Sequence, residues 1–105
     1  MTDSISIEEL TTLLAENRKT VLLDVRRKND FEQSPRMIPC ADWRDPENIE
    51  TWMDAVPKDQ DVVVYCVKGG MVSQSVAEKL AARSCRAKFL EGGILAWQAS
   101  GKDVA

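Results

Sequence analysis

The sequence contains no histidine, and this absence excludes several catalytic devices at once. A Ser-His-Asp triad, a Cys-His pair and a histidine general base all require an imidazole ring. The three cysteines, Cys40, Cys66 and Cys85, do not have the spacing of zinc ligands, and no histidine is present to complete such a site. A nucleophile in this chain must therefore be activated by backbone dipoles and cations, and we expect neither a metal nor a cofactor.

Long apolar runs and basic tracts are also lacking. No apolar run approaches the roughly 18 residues of a membrane helix, and Met1-Thr2-Asp3-Ser4 has no signal-peptide features. An odd number of widely spaced cysteines fits reduced thiols better than a disulfide framework. The net charge of −3 argues against a nucleic-acid or anionic-membrane partner. We expect one cytoplasmic domain over residues 1–105, with no nucleic-acid or membrane partner.

Strand and helix patterns alternate along the chain, which predicts an α/β fold with a mainly parallel central sheet and helices on both faces. The predicted extended segments are Ser4–Ser6, Val21–Val25, Met37–Ala41, a central strand running from Asp61 to Cys66, and Ala87–Leu90. The first predicted helix is Ile7–Glu16, which begins with a Ser6–Glu9 capping box and is closed by Asn17–Lys19. A later helix has Asp45 as its N-cap and Pro46 as its first residue, and the helix Ser73–Arg83 has Val76, Leu80 and Ala81 inward. The remaining predicted helices are Arg26–Gln33 and Ile94–Ala99.

Cys66 lies where the apolar central strand gives way to helical spacing. The carboxyl ends of parallel strands are where ligands bind, and the following helix directs unpaired N–H groups and the positive end of its dipole there. Gly69 and Gly70 suit a loop that curls its N–H groups inward, and Lys68 supplies a nearby cation. This arrangement stabilises a reactive thiolate. The alternative is that Cys66 is a small apolar residue at the end of a core strand, followed by a simple turn.

Four motifs in order resemble the rhodanese-like domain, the single-domain sulfurtransferase family, over nearly the whole chain. They are Leu23-Asp24-Val25-Arg26 followed by Phe31, Ile38-Pro39-Cys40-Ala41, Val63-Val64-Tyr65-Cys66 with Gly69, and Leu90-Glu91-Gly92-Gly93 continuing through Ala96-Trp97 to Gly101. The last motif is the most specific of the four.

The resemblance implies that Cys66 accepts a sulfane sulfur as a persulfide from a donor such as thiosulfate. Cyanide, a thiol or a thioredoxin-like protein then removes the sulfur. The implied substrate-binding residues are Val67, Lys68, Gly69, Gly70, Met71, Val72 and Ser73. We expect Ser73 to cap the following helix as well. Asp24 and Arg26 are expected to be structural, and Cys40 and Cys85 to be bystanders.

The loop departs from the family pattern in two ways. Sulfurtransferases of the family often carry an arginine next to the cysteine, where this chain has Val67. Seven residues, Cys66–Val72, precede Ser73, which is the loop length of the related phosphatases and arsenate reductases. Their loop ends in an arginine that holds the tetrahedral oxyanion, whereas this chain has Val72. Two alternatives to a sulfurtransferase therefore stay open: an oxyanion enzyme of the same fold and a non-catalytic binding module.

Overall fold

A parallel sheet forms the centre of the computed structural model, which describes residues 3–16 and 20–105. The sheet order is β1-β5-β4-β2-β3, and every strand pair is parallel. The strands of this part of the chain are β1 (Ser4–Ile5), β2 (Thr20–Asp24), β3 (Asp42–Trp43), β4 (Asp61–Tyr65) and β5 (Arg86–Leu90). Its α-helices are α1 (Ile7–Ala15), α2 (Lys28–Gln33), α3 (Ile49–Trp52), α4 (Met71–Ala82) and α5 (Gly93–Ala99). The α/β fold expected from the sequence is confirmed.

The two faces of the sheet each carry a core. Side chains of β4 alternate between them, so Val62 and Val64 pack on one face and Val63 and Tyr65 on the other. The first face is covered by apolar residues of α3 and α4, the second by those of α1 and α5. Burial on both faces explains why β4 is a continuous apolar run rather than an alternating one.

The strand order places β4 in the middle, between β5 and β2. Asp24 at the end of β2 is in register with Tyr65 at the end of β4. The residues that follow these two strands, Arg26 and Cys66, therefore emerge at the same edge of the sheet. This edge carries the candidate site.

Helix α1 begins as the sequence predicts. The Ser6 side chain accepts a hydrogen bond from the Glu9 N–H, and the Ser6 N–H donates to the Glu9 carboxylate, both at 3.1 Å. The Ser6 contacts lower the pKa of Glu9. The predicted end of this helix, Asn17–Lys19, lies outside the described residues.

The predicted strand Met37–Ala41 is wrong. Pro39 has no N–H to donate, Cys40 adopts a left-handed φ of 74°, and the Ala41 N–H donates back to the Ile38 carbonyl, so the chain turns here. The short strand β3 follows the turn and pairs with β2.

Two helix predictions also need correction. Asp45 does cap a helical segment, since its side chain accepts from the Glu47 N–H at 2.9 Å, but the segment is divided into a 3₁₀ turn (Pro46–Asn48), α3 and a second 3₁₀ turn (Met53–Ala55). Helix α4 begins at Met71, two residues before its predicted start, and its inward face includes Ala77 rather than Ala81, which is exposed.

Candidate active site

Cys66 follows the last residue of β4 and is 6% exposed. Its exposed part opens into a hollow of about 290 Å³ at the carboxyl edge of the sheet. The hollow is lined by Arg26, Arg27, Asp30, Cys66, Val67, Lys68, Gly70, Met71 and Val72. Cys66 therefore forms part of the wall of the hollow, while most of its surface is buried.

The segment after Cys66 is held from behind by the start of α5. The carbonyl of Cys66 accepts a hydrogen bond from the Ile94 N–H at 3.0 Å, and that of Val67 accepts from the Leu95 N–H at 3.1 Å. A Cβ at Gly93 would lie 2.4 Å from the Cys66 carbonyl oxygen and 2.5 Å from that of Val67. Only glycine at position 93 permits this close approach between the start of α5 and the loop.

Gly69 and Gly70 differ in what they contribute to the loop. Gly69 has a φ of +73°, and a Cβ there would lie 2.7 Å from the Gly92 nitrogen and 2.8 Å from the Leu90 oxygen. Gly70 has a φ of −88°, and a Cβ added there would have no atom within 4 Å. The left-handed turn expected of the glycine pair is thus required at Gly69 alone, where the loop packs against the end of β5.

Seven consecutive backbone N–H groups, those of residues 67–73, donate no hydrogen bond to any described residue. Three of them are the first N–H groups of α4, which lack intrahelical acceptors by geometry. Helix α4 has twelve residues, so its dipole places partial positive charge at the same end. These donors and the dipole make the loop suited to binding negative charge.

Ser73 is not the helix N-cap that the sequence suggests. Gly70 holds that position, and Ser73 is the third residue of α4, fully buried. Its Oγ lies 3.1 Å from Cys66 Sγ and 3.4 Å from the Gly70 carbonyl oxygen. Because a hydroxyl rotates, Ser73 can accept from the thiol or donate to the thiolate.

A buried polar network lies beside the cysteine. The Arg26 guanidinium donates to the Asp24 carboxylate at 2.7 to 3.0 Å, and to the carbonyls of Ser34 and Arg36. The Tyr65 hydroxyl donates to Asp24 at 3.1 Å, and burial together with the Asp24 charge raises the pKa of Tyr65. Asp24 and Arg26 therefore pair with each other, and the Asp24 carboxylate also accepts from the Arg26 backbone N–H at 3.0 Å.

Comparison with known proteins agrees with this architecture. The family model described as the rhodanese-like domain matches residues 6–100. The chain belongs to the rhodanese-like domain family. It is 35% identical over 104 residues to an Allochromatium vinosum protein named sulfurtransferase, covering 99% of this chain and 95% of that one.

Solved structures of rhodanese-like proteins have the same fold. A rhodanese-like domain protein from Staphylococcus aureus is 28% identical, with a TM-score of 0.80 and coverage of 91% of each chain. A rhodanese-related protein from Thermoplasma volcanium is 21% identical, with a TM-score of 0.84 and coverage of 98% of this chain and 97% of that one.

The residues predicted for the site of this rhodanese-like domain divide into two groups. Those that line the hollow with Cys66 are Val67, Lys68, Gly70, Met71 and Val72. Gly69 and Ser73 lie behind it, where Gly69 shapes the loop and Ser73 contacts the sulfur. Five of the seven predicted substrate-binding residues therefore line the hollow, and the other two contact the loop or the sulfur without lining it.

Three charged residues of the hollow are absent from the predicted site: Arg27 and Asp30, which the sequence analysis does not name, and Arg26, which it expects to be structural. They come from the segment after β2, which lines the hollow together with the loop. Their position in the sequence could have indicated this, because they follow the end of β2, and β2 ends beside the end of β4.

The other two cysteines have different surroundings. Cys40 is exposed, Cys85 is buried, and neither forms a disulfide. Within residues 3–16 and 20–105 no cluster of three or more cysteine, aspartate and glutamate side chains has the geometry of a metal site. Every helix in that part of the chain is too short or too polar to cross a bilayer.

Proposed function

We propose that this rhodanese-like domain is a sulfurtransferase in which Cys66 carries the transferred sulfur as a persulfide. One observation carries the proposal: Cys66 opens into the hollow beside a loop of unpaired N–H donors, with Ser73 Oγ 3.1 Å from its sulfur. The relative named sulfurtransferase, which is similar along almost the whole chain, supports the same reaction class.

The reaction begins with attack of the Cys66 thiolate on the outer sulfur of a donor. With thiosulfate, the new S–S bond forms as the donor's own S–S bond breaks, and its electron pair leaves with sulfite. The product is the Cys66 persulfide anion. Loop N–H groups and the α4 dipole stabilise negative charge on the terminal sulfur, and the Ser73 hydroxyl donates to the inner one.

The second half of the reaction returns the thiolate. A nucleophilic acceptor attacks the terminal sulfur, and the electron pair of the persulfide bond goes back to Cys66. A thiol, including that of a thioredoxin-like protein, or cyanide is nucleophilic enough for this step. The site is open at the carboxyl edge of the sheet, so an acceptor thiol can approach without a domain movement.

Mass spectrometry of the intact protein tests this proposal. Reduced protein is incubated with thiosulfate, and we expect the mass to rise by one sulfur atom and to return after addition of cyanide. Because Cys40 is an exposed thiol, the experiment is done in a Cys40→Ser background, and Cys66→Ser in that background should take up no sulfur.

Two other outcomes would contradict the proposal. Sulfur uptake that persists in Cys66→Ser would show that another thiol reacts. Phosphate release from an aryl phosphate that is lost in Cys66→Ser, with no sulfur uptake from any donor, would instead assign the oxyanion-enzyme alternative.

A further inference from the structure

One carbonyl of the loop after Cys66 is held by a side chain rather than by backbone. Gln74, the exposed fourth residue of α4, donates from its Nε2 amide to the Gly69 carbonyl at 3.0 Å. No other group in the part of the chain that the structure describes donates to this carbonyl. The carbonyls of Cys66 and Val67 are held instead by backbone N–H groups of α5. The orientation of the Gly69–Gly70 peptide therefore depends on one side chain.

This contact decides where the neighbouring N–H points. In a trans peptide the carbonyl and the following N–H point in opposite directions, and the Gly69–Gly70 peptide is trans. The Gly70 N–H is therefore directed away from the Gln74 amide. Gly70 lines the hollow, whereas Gln74 does not.

Glycine on both sides leaves this peptide free to turn. Rotation of its plane by half a turn changes only ψ of Gly69 and φ of Gly70, and glycine adopts positive φ as readily as negative φ. The Gly70 φ of −88° can therefore change sign without a steric cost from a side chain. The turned peptide would direct the Gly69 carbonyl oxygen to the hollow, where its partial negative charge would repel a thiolate or a persulfide anion.

From this geometry we propose that Gln74 is a positioning residue: it fixes the Gly69–Gly70 peptide so that the Gly70 N–H faces the hollow and the Cys66 sulfur. The inference rests on the function proposed above, in that Cys66 is the reacting thiol. Gln74 lies outside the hollow and acts only through the peptide. Its amide thereby adds a donor to those that stabilise negative charge on the sulfur.

Alkylation of Cys66 by iodoacetamide tests this role without a sulfur donor. Gln74→Met keeps the length of the side chain and a high helix propensity but removes the amide donor. With the full chain in the Cys40→Ser background at neutral pH, we expect alkylation of Cys66 to slow about tenfold, which is at the lower end of what one hydrogen bond to a charged group contributes. Persulfide formation from thiosulfate should slow by a similar factor. Peptide mass spectrometry identifies the alkylated cysteine.

Gln98→Met is the matched control. Gln98 is an exposed glutamine on α5, and its side chain forms no hydrogen bond with any residue that the structure describes. The same substitution there should leave both rates unchanged.

A second substitution separates positioning from a general structural effect. Alanine at position 70 opposes the turned peptide, because turning takes φ of this residue to a positive value at which a side chain is strained. Gln74→Met should therefore slow alkylation severalfold less in a Gly70→Ala background than in the presence of Gly70. A contribution of Gln74 to helix stability alone would not depend on residue 70.

The amide resonance of residue 70 gives a spectroscopic signature of the same geometry. In isotope-labelled protein, we expect the Gly70 amide proton shift to move when alkylation removes the charge of the Cys66 sulfur. Gln74→Met should abolish this movement, because the N–H no longer faces the sulfur, and Gln98→Met should retain it.

The outcomes distinguish this inference from the function on which it rests. Alkylation of Gln74→Met at the unaltered rate, or an equal effect of Gln74→Met with glycine and with alanine at position 70, would overturn the positioning role and leave the sulfurtransferase proposal intact. Slowed alkylation in Gln74→Met, in a protein whose Cys66 takes up no sulfur from any donor, would support the positioning role and overturn the proposed function.

Discussion

The two central strands end side by side, and their ends are built in opposite ways. At the end of β2, the Arg26 guanidinium and the Asp24 carboxylate form a buried ion pair, with side chains 3% and 0% exposed. The carbonyls of Ser34 and Arg36 accept the remaining guanidinium hydrogen bonds, and the Tyr65 hydroxyl donates to Asp24. At the end of β4, the loop after Cys66 presents seven N–H groups that have no acceptor among residues 3–16 and 20–105. One end is closed and electrostatically complete, whereas the other is open and has unused donors.

This contrast separates the residues that stabilise the site, which form the Asp24–Arg26 network, from the loop after Cys66, which carries the reactive groups. Tyr65 belongs to the closed network, since its hydroxyl donates to Asp24 and accepts from the Ile38 N–H, and it directly precedes Cys66. The network thus fixes the backbone from which the reactive loop starts. Changes in the network should reduce stability, and changes in the loop should reduce reactivity.

Removing the Asp24 carboxylate should give the largest effect. Asp24→Ala leaves the buried Arg26 charge without its partner, and breaking a buried ion pair from one side costs about 3–5 kcal/mol of unfolding free energy. Urea denaturation followed by tryptophan fluorescence measures this loss. The control is Asp54→Ala, which breaks the exposed pair with Arg83 and should cost less than about 1 kcal/mol. Similar losses for the two variants would show that the closed end is not the stabilising one.

A methyl group at position 93 should be nearly as disruptive, because it would collide with the backbone of the loop after β4. Gly93→Ala places its Cβ against the carbonyls of Cys66 and Val67 and strains a φ of +61°, a combined cost of about 3 kcal/mol. Gly101→Ala is the matched control, since Gly101 has a φ of +81° with no atom near its Cβ. The control should show only the strain, about 1 kcal/mol, and keep the rate of persulfide formation. If both variants lose the same stability and the same rate, the contact with the loop has no role.

The parts of this architecture that the sequence predicts are those with strong local patterns. The β-branched and aromatic run Val62–Tyr65 is typical of a strand buried on both faces, and the structure contains that strand. The spacing of Ser6 and Glu9 predicts a helix start that the structure also contains. The order of the four family motifs identified the fold and put Cys66 at the end of the central strand.

The errors arise where tertiary contacts decide. Strand β3 has two residues, too few to show an alternating pattern, and it forms because β2 offers a free edge. Helix α4 begins at Met71, and its N-cap Gly70 has no side chain to form a capping hydrogen bond, so no sequence signal marks this start. Ser73 is a residue type that favours N-caps, but its hydroxyl is directed to Cys66. Arg27 joins the site only through the packing of a neighbouring segment.

Loss of the Ser73 hydroxyl should affect reactivity more than stability. Ser73→Ala removes the side-chain oxygen 3.1 Å from Cys66 Sγ, and a hydrogen bond to a charged sulfur is worth more than one to a neutral group. We expect persulfide formation to slow about tenfold, with about 1 kcal/mol lost in unfolding free energy. Ser75→Ala, an exposed position on the same helix, should leave both unchanged. An equal slowing in the two variants would exclude the contact with the sulfur.

Raising the pH should produce an effect that is absent at neutral pH and confined to the closed end. Burial and the Asp24 charge raise the pKa of Tyr65 above its ordinary value of 10, so the neutral phenol is favoured in the folded state. Its contribution is fully present below pH 10 and is lost as the pH rises above 10 toward the folded-state pKa, by at most about 1.4 kcal/mol per pH unit.

Tyr65 is the only tyrosine, so phenolate absorbance follows its ionisation alone. The native protein should titrate above pH 10 and the urea-unfolded protein near 10. Tyr65→Phe should remove this component of the alkaline stability loss. A native titration near pH 10 would show that the hydroxyl is not held in the Asp24 network.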